Sequence, residues 1–92
     1  MKNIDLTGQL ICHGDEEIAV VMEFLPRHVE LTHAEPGCIS FEVNQTDDPR
    51  VWDVAERFRD ADAFRSHQAR VKASAWGRAT SGIKRSYSVT GL

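Results

Sequence analysis

The sequence predicts an α+β domain whose strands and helices follow the order βαββαβ. Two observations favour this class: apolar and polar residues alternate in several short segments, and apolar residues recur at helical spacing in two longer segments between them. The length of 92 residues fits one domain spanning residues 1–92. A domain this small buries only about 60–65% of the surface that its unfolded chain exposes, so association with a second copy would add stability.

The first strand and the first helix are predicted from the N-terminal third of the chain. Apolar and polar residues alternate over residues 6–13, which is the period of a strand. Gly14 and Asp15 then offer a turn and an N-cap, and apolar residues at helical spacing predict a helix over residues 15–33. Pro26 lies inside that helix and lacks a backbone donor, so we expect a kink there.

The remaining elements follow from similar patterns. Pro36 and Gly37 end the first helix, because proline cannot continue it and glycine turns at positive φ without steric cost. The apolar residues at 39, 41 and 43 are expected on one face of the second strand, and Asp60 is a good N-cap for the second helix. A turn is predicted at residues 46–50, and a third strand follows at residues 52–58. The second helix is predicted at residues 60–73, a short helical turn at residues 74–80 and the last strand at residues 83–89.

This order of elements is that of the ferredoxin-like fold. Right-handed crossovers place both helices on one face of a four-stranded antiparallel sheet. The opposite face is then uncovered, and apolar residues of the first, second and last strands are expected on both faces of the sheet. We therefore predict that a second copy of the sheet covers it in a two-fold homodimer.

Composition and charge exclude several classes of function. The formal net charge is −3 and the basic residues are scattered among acidic ones, so a nucleic-acid partner is not expected. No run of about 18 apolar residues is present to span a membrane, and the N-terminal residues lack the pattern of a signal peptide, so we expect a cytoplasmic protein. Cys12 and Cys38 are expected to be reduced packing residues.

Glu56 is the first candidate site residue. Strict alternation places it on the strand face that also carries Trp52, Val54 and Phe58. If that face packs against the helices, burial raises the pKa of the carboxyl and allows it to act as a general acid or base. The alternatives are that Glu56 pairs with an arginine, namely Arg27, Arg70 or Arg85, or that it lies at an exposed sheet edge.

Two histidines are the next candidates. His67 shares an apolar helical stripe with Phe64 and Val71, and we predict that it shuttles protons. His28 lies on the flank of the first helix's apolar stripe and could reach the same cavity from the opposite wall. The alternatives are a core histidine without function at 67 and a half-exposed helix residue at 28. The histidines have no zinc-binding spacing, so no metal is expected.

Aromatic residues would supply the core and part of a pocket. Two tryptophans near a cavity would suit a planar aromatic substrate by stacking, although aromatic side chains fill small cores in any case. The candidate pocket-lining aromatic residues are Phe41, Trp52, Phe58, Phe64, Trp76 and Tyr87.

Several short motifs, taken in order along the chain, resemble the antibiotic biosynthesis monooxygenase family, and within it the quinol monooxygenases. The motifs are His28-Val29-Glu30-Leu31-Thr32, Glu35-Pro36-Gly37-Cys38, Phe41-Glu42-Val43, Asp48-Pro49, Glu56-Arg57-Phe58 and Ala63-Phe64 leading to His67. The resemblance implies a dimeric α+β barrel of ferredoxin-like subunits with a pocket between sheet and helices. It also implies oxidation of a phenol or quinol by molecular oxygen without flavin, haem or metal.

The resemblance also implies roles for the candidate residues. His67 would take the phenolic proton, and Glu56 would orient that imidazole or the substrate hydroxyl. His28 or Tyr87 would hydrogen-bond the oxygen on the far side, and the aromatic residues would stack on a small aromatic substrate and exclude water. Phe58 departs from the pattern, because many relatives have tryptophan there. Haem is not expected, because the first strand lacks the asparagine of haem-degrading members.

Two other functions are compatible with the same pattern. A small-molecule-binding or sensing module without catalysis could use the same scaffold, because a fold does not fix a function. An isomerase or decarboxylase could use the same acid–base pair to shuttle protons without oxygen.

Overall fold

The computed structural model describes residues 2–92. Its strands and helices, in chain order, are β1 (Ile4–Ile11), α1 (Asp15–His33), β2 (Cys38–Gln45), β3 (Val51–Phe58), α2 (Ala61–Ala73), α3 (Ala75–Ala79) and β4 (Lys84–Thr90). The predicted βαββαβ order is confirmed, with α3 as the short helical turn before the last strand. The first strand begins and ends two residues earlier than predicted, because its ladder with β3 already starts at Ile4.

The helix boundaries follow from local capping. Asp60 Oδ1 accepts a hydrogen bond from the backbone N–H of Ala63 at 2.8 Å, which confirms the predicted N-cap of α2. The hydroxyl of Ser74 accepts from the N–H of Gly77 at 3.0 Å and begins α3 in the same way. Gly14 occupies the N-cap of α1 without a side-chain cap. The acidic first turn of α1 compensates, because negative charge there interacts favourably with the helix dipole.

The four strands form one sheet in the order β2-β3-β1-β4, and every neighbouring pair is antiparallel. The ladder sets Glu56 opposite Leu6 on one side and opposite Phe41 on the other. Side chains of directly paired residues share a face, so Glu56 lies on the face that the helices cover.

The second strand departs from the predicted alternation at its start. The register with β3 shifts between Cys38 and Ser40, so Ile39 has no place in the regular ladder. Ile39 is accordingly exposed, whereas Phe41 is buried. The expectation that Ile39 and Phe41 share one face is wrong because of this irregularity.

The face of the sheet away from the helices is mostly polar, with the paired residues Ile11 and Val51 at one end of it. Its side chains include Asp5, which pairs with Arg57 at 2.6 Å, and Gln9, which donates to Asp53 at 3.2 Å. Leu10 is completely buried on the helix side instead. Leu10 therefore does not contribute to the uncovered face, whereas Ile11 and Val51 do. The homodimer stays a prediction, and a partner covering this face would meet charged and amide groups.

The core lies between the sheet and the helices. Its fully buried apolar side chains include Ile4, Leu10, Val21 and Phe58. Burial of each such side chain stabilises the fold by about 1.5–3 kcal/mol relative to an exposed position.

Gly8 in β1 leaves the space that the Tyr87 ring on β4 occupies. Gly8 has φ +152°, and a Cβ built on it would overlap the carbonyl oxygen of Ser86 and lie 2.9 Å from Cδ1 of the Tyr87 ring. Only glycine adopts this backbone conformation readily, and only glycine leaves room for the neighbouring strand. The Tyr87 ring can therefore lie against β1 and face the interior.

We predict that Gly8→Ala lowers the free energy of unfolding by about 2 kcal/mol or more, because the new methyl group forces β4 away from β1. Urea denaturation measures this change. Gly82→Ala is the control, since no heavy atom lies within 4 Å of a Cβ there. Equal stability of the two variants would contradict the packing argument.

Candidate active site

A cavity of about 240 Å³ lies between the sheet and the helices. Six of the nine predicted site residues line it, each from a different strand or helix: His28, Phe41, Glu56, His67, Trp76 and Tyr87. The predicted carboxylate and imidazole therefore meet in one sheltered space.

The structure does not bring the other three predicted aromatic residues to the cavity wall. Trp52 and Phe58 share a face of β3 with Glu56. Trp52 lies four residues before Glu56 and Phe58 lies two residues after it, and at both positions other core side chains cover the ring. Phe64 packs against Phe58 with ring centroids 5.8 Å apart. Phe58 supports the site from behind instead, because its ring centroid lies 4.7 Å from that of His67.

His67 is held by a carboxylate that the pattern did not single out as a site residue. Its Nδ1 lies 2.9 Å from Oε1 and 3.2 Å from Oε2 of Glu35. A neutral imidazole can donate only from one nitrogen, and a carboxylate can only accept, so Nδ1 carries the proton. Nε2 is then left with a lone pair, which can accept a proton.

A chain of hydrogen bonds fixes Glu35 in turn. Arg70 Nε donates to Glu35 Oε2 at 2.5 Å, and its NH2 group donates to the Thr32 hydroxyl at 2.9 Å. The Thr32 hydroxyl donates to the backbone carbonyl of His28 at 2.8 Å. The end of α1, the loop that follows it and α2 therefore form one network behind His67.

Burial keeps His67 neutral. It lowers the pKa of the imidazole, because a charged ring loses its hydration in the core, and the charge of Arg70 acts in the same direction. The negative charge and hydrogen bond of Glu35 oppose this effect in part. The ring of His67 is therefore neutral, and the Glu35 carboxylate beside it can stabilise the imidazolium that forms when Nε2 accepts a proton.

Glu56 faces the free nitrogen of His67. Its Oε1 lies 3.6 Å from His67 Nε2 and is buried without a hydrogen-bond partner. Burial first, and then the negative charge of Glu35, raise the pKa of Glu56 to about 7. The carboxyl group is therefore largely protonated below neutral pH and can donate a hydrogen bond into the cavity.

The arginines proposed as alternative partners of Glu56 are engaged elsewhere. Arg27 pairs with Glu30 on the surface, Arg70 bonds Glu35, and Arg85 bonds neutral oxygens near the end of α3. Within residues 2–92, no arginine lies at ion-pair distance from Glu56. The alternatives of an arginine pair and of an exposed edge are therefore wrong.

His28 forms the opposite wall of the cavity. Its ring stacks on Trp76 with centroids 4.7 Å apart and planes at 3°, and it meets Phe41 edge-on at 5.2 Å. Burial lowers the pKa of His28 to about 3, helped by the charge that His67 carries when it is itself protonated and by the charges of Arg70 and Arg85. His28 is buried and neutral, and its Nδ1 has no hydrogen-bond partner. The alternative of a half-exposed helix residue is therefore wrong.

The sequence pattern did not identify Glu35 as a site residue, and it offered Arg70 and Arg85 only as partners of Glu56, whereas Arg70 bonds Glu35 and Arg85 lines the cavity. Glu35 carried one available signal, because it precedes Pro36 and Gly37 in a motif of the resemblance, but no role was attached to it. Arg85 lines the cavity from β4, and its alternation with Tyr87 on one strand face was the signal that could have placed it there. Arg70 had no comparable signal.

Comparison with known families and structures places this chain among related proteins. The family model described as antibiotic biosynthesis monooxygenase matches residues 11–79. No curated protein sequence matches the chain significantly.

In the described part of the chain, residues 2–92, no helix has both the length and the apolar character needed to cross a membrane.

Three solved structures show the same fold at low sequence identity. SnoaB, a cofactor-independent oxygenase from Streptomyces nogalater, is 15% identical with a TM-score of 0.81, over 100% of this chain and 94% of that chain. Rv0793 from Mycobacterium tuberculosis is 15% identical with a TM-score of 0.75, over 98% and 94%. A conserved protein from Methanosarcina mazei Go1 is 18% identical with a TM-score of 0.74, over 97% and 91%.

We predict that Glu56→Gln changes how stability depends on pH. The pKa of Glu56 is raised from 4.5 to about 7 in the folded state, so its proton stabilises the fold fully below pH 4.5 and this contribution is lost as pH rises to about 7. Glutamine does not titrate. The free energy of unfolding of the variant, relative to the wild type, should therefore rise by up to roughly 3 kcal/mol across that range.

Urea denaturation at several pH values between 4.5 and 8 measures this difference. The control is Glu42→Gln, which removes an exposed carboxylate from the neighbouring strand. Parallel stability curves for wild type and Glu56→Gln would show that the carboxyl group is not held in its protonated form.

Proposed function

The chain belongs to the antibiotic biosynthesis monooxygenase family, and we propose from this premise that it oxidises a small phenol or quinol with molecular oxygen and without a bound cofactor. The observation that carries the proposal is the neutral His67, whose Nδ1 is bonded to Glu35 at 2.9 Å and whose Nε2 faces Glu56 across 3.6 Å in the cavity. A base and a protonated acid thus lie side by side in one sheltered space.

The first step that this geometry supports is removal of a hydroxyl proton. Nε2 of His67 accepts the proton of the substrate hydroxyl, and the imidazolium that results is stabilised by the Glu35 carboxylate. Protonated Glu56 donates a hydrogen bond to the phenolate oxygen, which places the negative charge next to the two groups. Phe41 and Trp76 line the cavity and exclude water around the anion.

The second step is electron transfer from this anion to oxygen. A phenolate or quinolate is electron-rich enough to reduce oxygen itself, so the protein supplies the base, the orientation and a dry site. For a quinol, one oxygen atom enters the ring as a hydroxyl group and the other leaves as water. The substrate loses four electrons and becomes a hydroxyquinone, so atoms and electrons balance without another reductant.

The choice of a quinol as substrate rests on the family resemblance, and the homodimer rests on that resemblance and on the sheet face that the helices leave uncovered. The cytoplasmic location is a prediction from the sequence pattern alone. A sensing module remains the competing function, since it would bind the same molecules without consuming oxygen.

We predict that the wild-type protein consumes oxygen with at least one member of a quinol panel and that His67→Ala lowers the rate by about 10²–10⁴-fold, which is the usual contribution of a general base. An oxygen electrode measures both rates. His13→Ala is the matched control, because it removes an exposed histidine outside the cavity. Absence of oxygen uptake with every quinol, or equal rates in His67→Ala, would overturn the proposed function.

We predict that Glu35→Gln lowers kcat by about 10-fold or more while changing KM little, because Glu35 is a positioning residue that acts through His67. Loss of its negative charge also lowers the pKa of His67 further, so the acid limb of the pH–rate profile moves to lower pH. Steady-state kinetics from pH 5 to 8 measure both effects, with the exposed Glu30→Gln as control. An unmoved acid limb would mean that Glu35 does not act on the imidazole.

A further inference from the structure

Arg85 contributes an uncompensated positive charge to the cavity wall. Its NH1 group donates to the backbone carbonyls of Thr80 at 2.8 Å and Ile83 at 3.0 Å, and its NH2 group donates to the Thr80 hydroxyl at 2.7 Å. All three acceptors are neutral. Among residues 2–92, no carboxylate lies at ion-pair distance from Arg85, whereas Arg70 behind the cavity is paired with Glu35.

The other cavity groups do not neutralise this charge. Burial lowers the pKa of His28 and of His67, so both rings are uncharged near neutral pH. Burial and Glu35 raise the pKa of Glu56 to about 7, so its carboxyl is mostly uncharged below that pH. Burial also raises the pKa of Tyr87, which therefore keeps its proton. Below pH 7 the cavity therefore carries a net positive charge, in surroundings where charges interact strongly.

The charge lies at the far end of the cavity from the acid–base pair. Across β1, Glu56 is opposite Leu6 and Arg85 is opposite Leu10 on the other side. The backbones of Glu56 and Arg85 are about 16 Å apart, because four residues along the strand direction and two strand spacings separate them. Both side chains line the same cavity from these positions. One molecule can therefore meet both groups.

The cavity volume limits the size of that molecule. A cavity of about 150 Å³ accommodates benzene in another protein, so 240 Å³ fits one aromatic ring with substituents or two fused rings. A molecule of that size can present one polar group at each end.

We infer that the substrate is a one- or two-ring phenol or quinol that also carries one carboxylate, with the carboxylate beside Arg85 and the hydroxyl beside His67. This inference rests on the proposed function and names its substrate class. The guanidinium binds the carboxylate by charge and by its N–H donors, as arginine commonly does. The Tyr87 hydroxyl, which lines the same cavity, supplies a further donor.

Arg85 also has a structural role, because its bonds to Thr80 tie β4 to the end of α3. The two roles are separable. Arg85→Gln removes the charge and keeps hydrogen-bond donors. Thr80→Val removes the hydroxyl that accepts from Arg85 and leaves the charge in place.

The test is anaerobic binding at pH 6.5, measured by isothermal titration calorimetry. The probes are 4-hydroxybenzoate and 6-hydroxy-2-naphthoate, each compared with its neutral carboxamide. We expect the wild type to bind at least one carboxylate about 10-fold or more tightly than its amide. Arg85→Gln should lose this preference, and Thr80→Val should retain it.

Three results would overturn the inference: equal affinity for carboxylate and amide, a preference that persists in Arg85→Gln, or no binding of either carboxylate at millimolar concentration. Circular dichroism confirms that each variant is folded before titration. The outcome is independent of turnover. A protein that prefers the carboxylates but consumes no oxygen with any quinol or hydroxybenzoate keeps this inference and loses the oxygenase proposal.

Discussion

The hydrogen bond from His67 Nδ1 to Glu35 is the constraint on which the candidate site depends. A buried neutral imidazole can present a lone pair or an N–H to the cavity, and the two possibilities have opposite chemistry. Glu35 selects the lone pair, because its carboxylate accepts the only ring proton at 2.9 Å. Arg70 and Thr32 hold Glu35 in place, so the loop after α1 and the helix α2 together decide which nitrogen faces the cavity.

Much of the fold could be predicted from the sequence, because its signals are local. The alternation over β3 placed Glu56 on the covered face, and the spacing along α2 placed His67 towards the core. Asp60 ends the preceding loop and caps α2, as its side-chain chemistry requires. Residues a few positions apart determine these features, so a periodic pattern is sufficient to find them.

The partners within the site could not be predicted in the same way. Glu35 and His67 are 32 residues apart, and Glu35 and Arg70 are 35 apart, so their pairing arises only when the fold brings the loop after α1 next to α2. Periodicity assigns a side chain to a face but not to a position along it. Trp52 and Phe58 therefore share the face of Glu56 and still lie away from the cavity wall.

Glu35 acts on two groups at once. Its negative charge favours the imidazolium of His67, and the same charge raises the pKa of Glu56 across the site. A carboxyl group and an imidazole 3.6 Å apart would ordinarily exchange a proton and form an ion pair. Here burial disfavours both charged forms, and Glu35 adds to the cost of ionising Glu56. The acid and the base therefore remain neutral side by side, which leaves both available to a substrate hydroxyl.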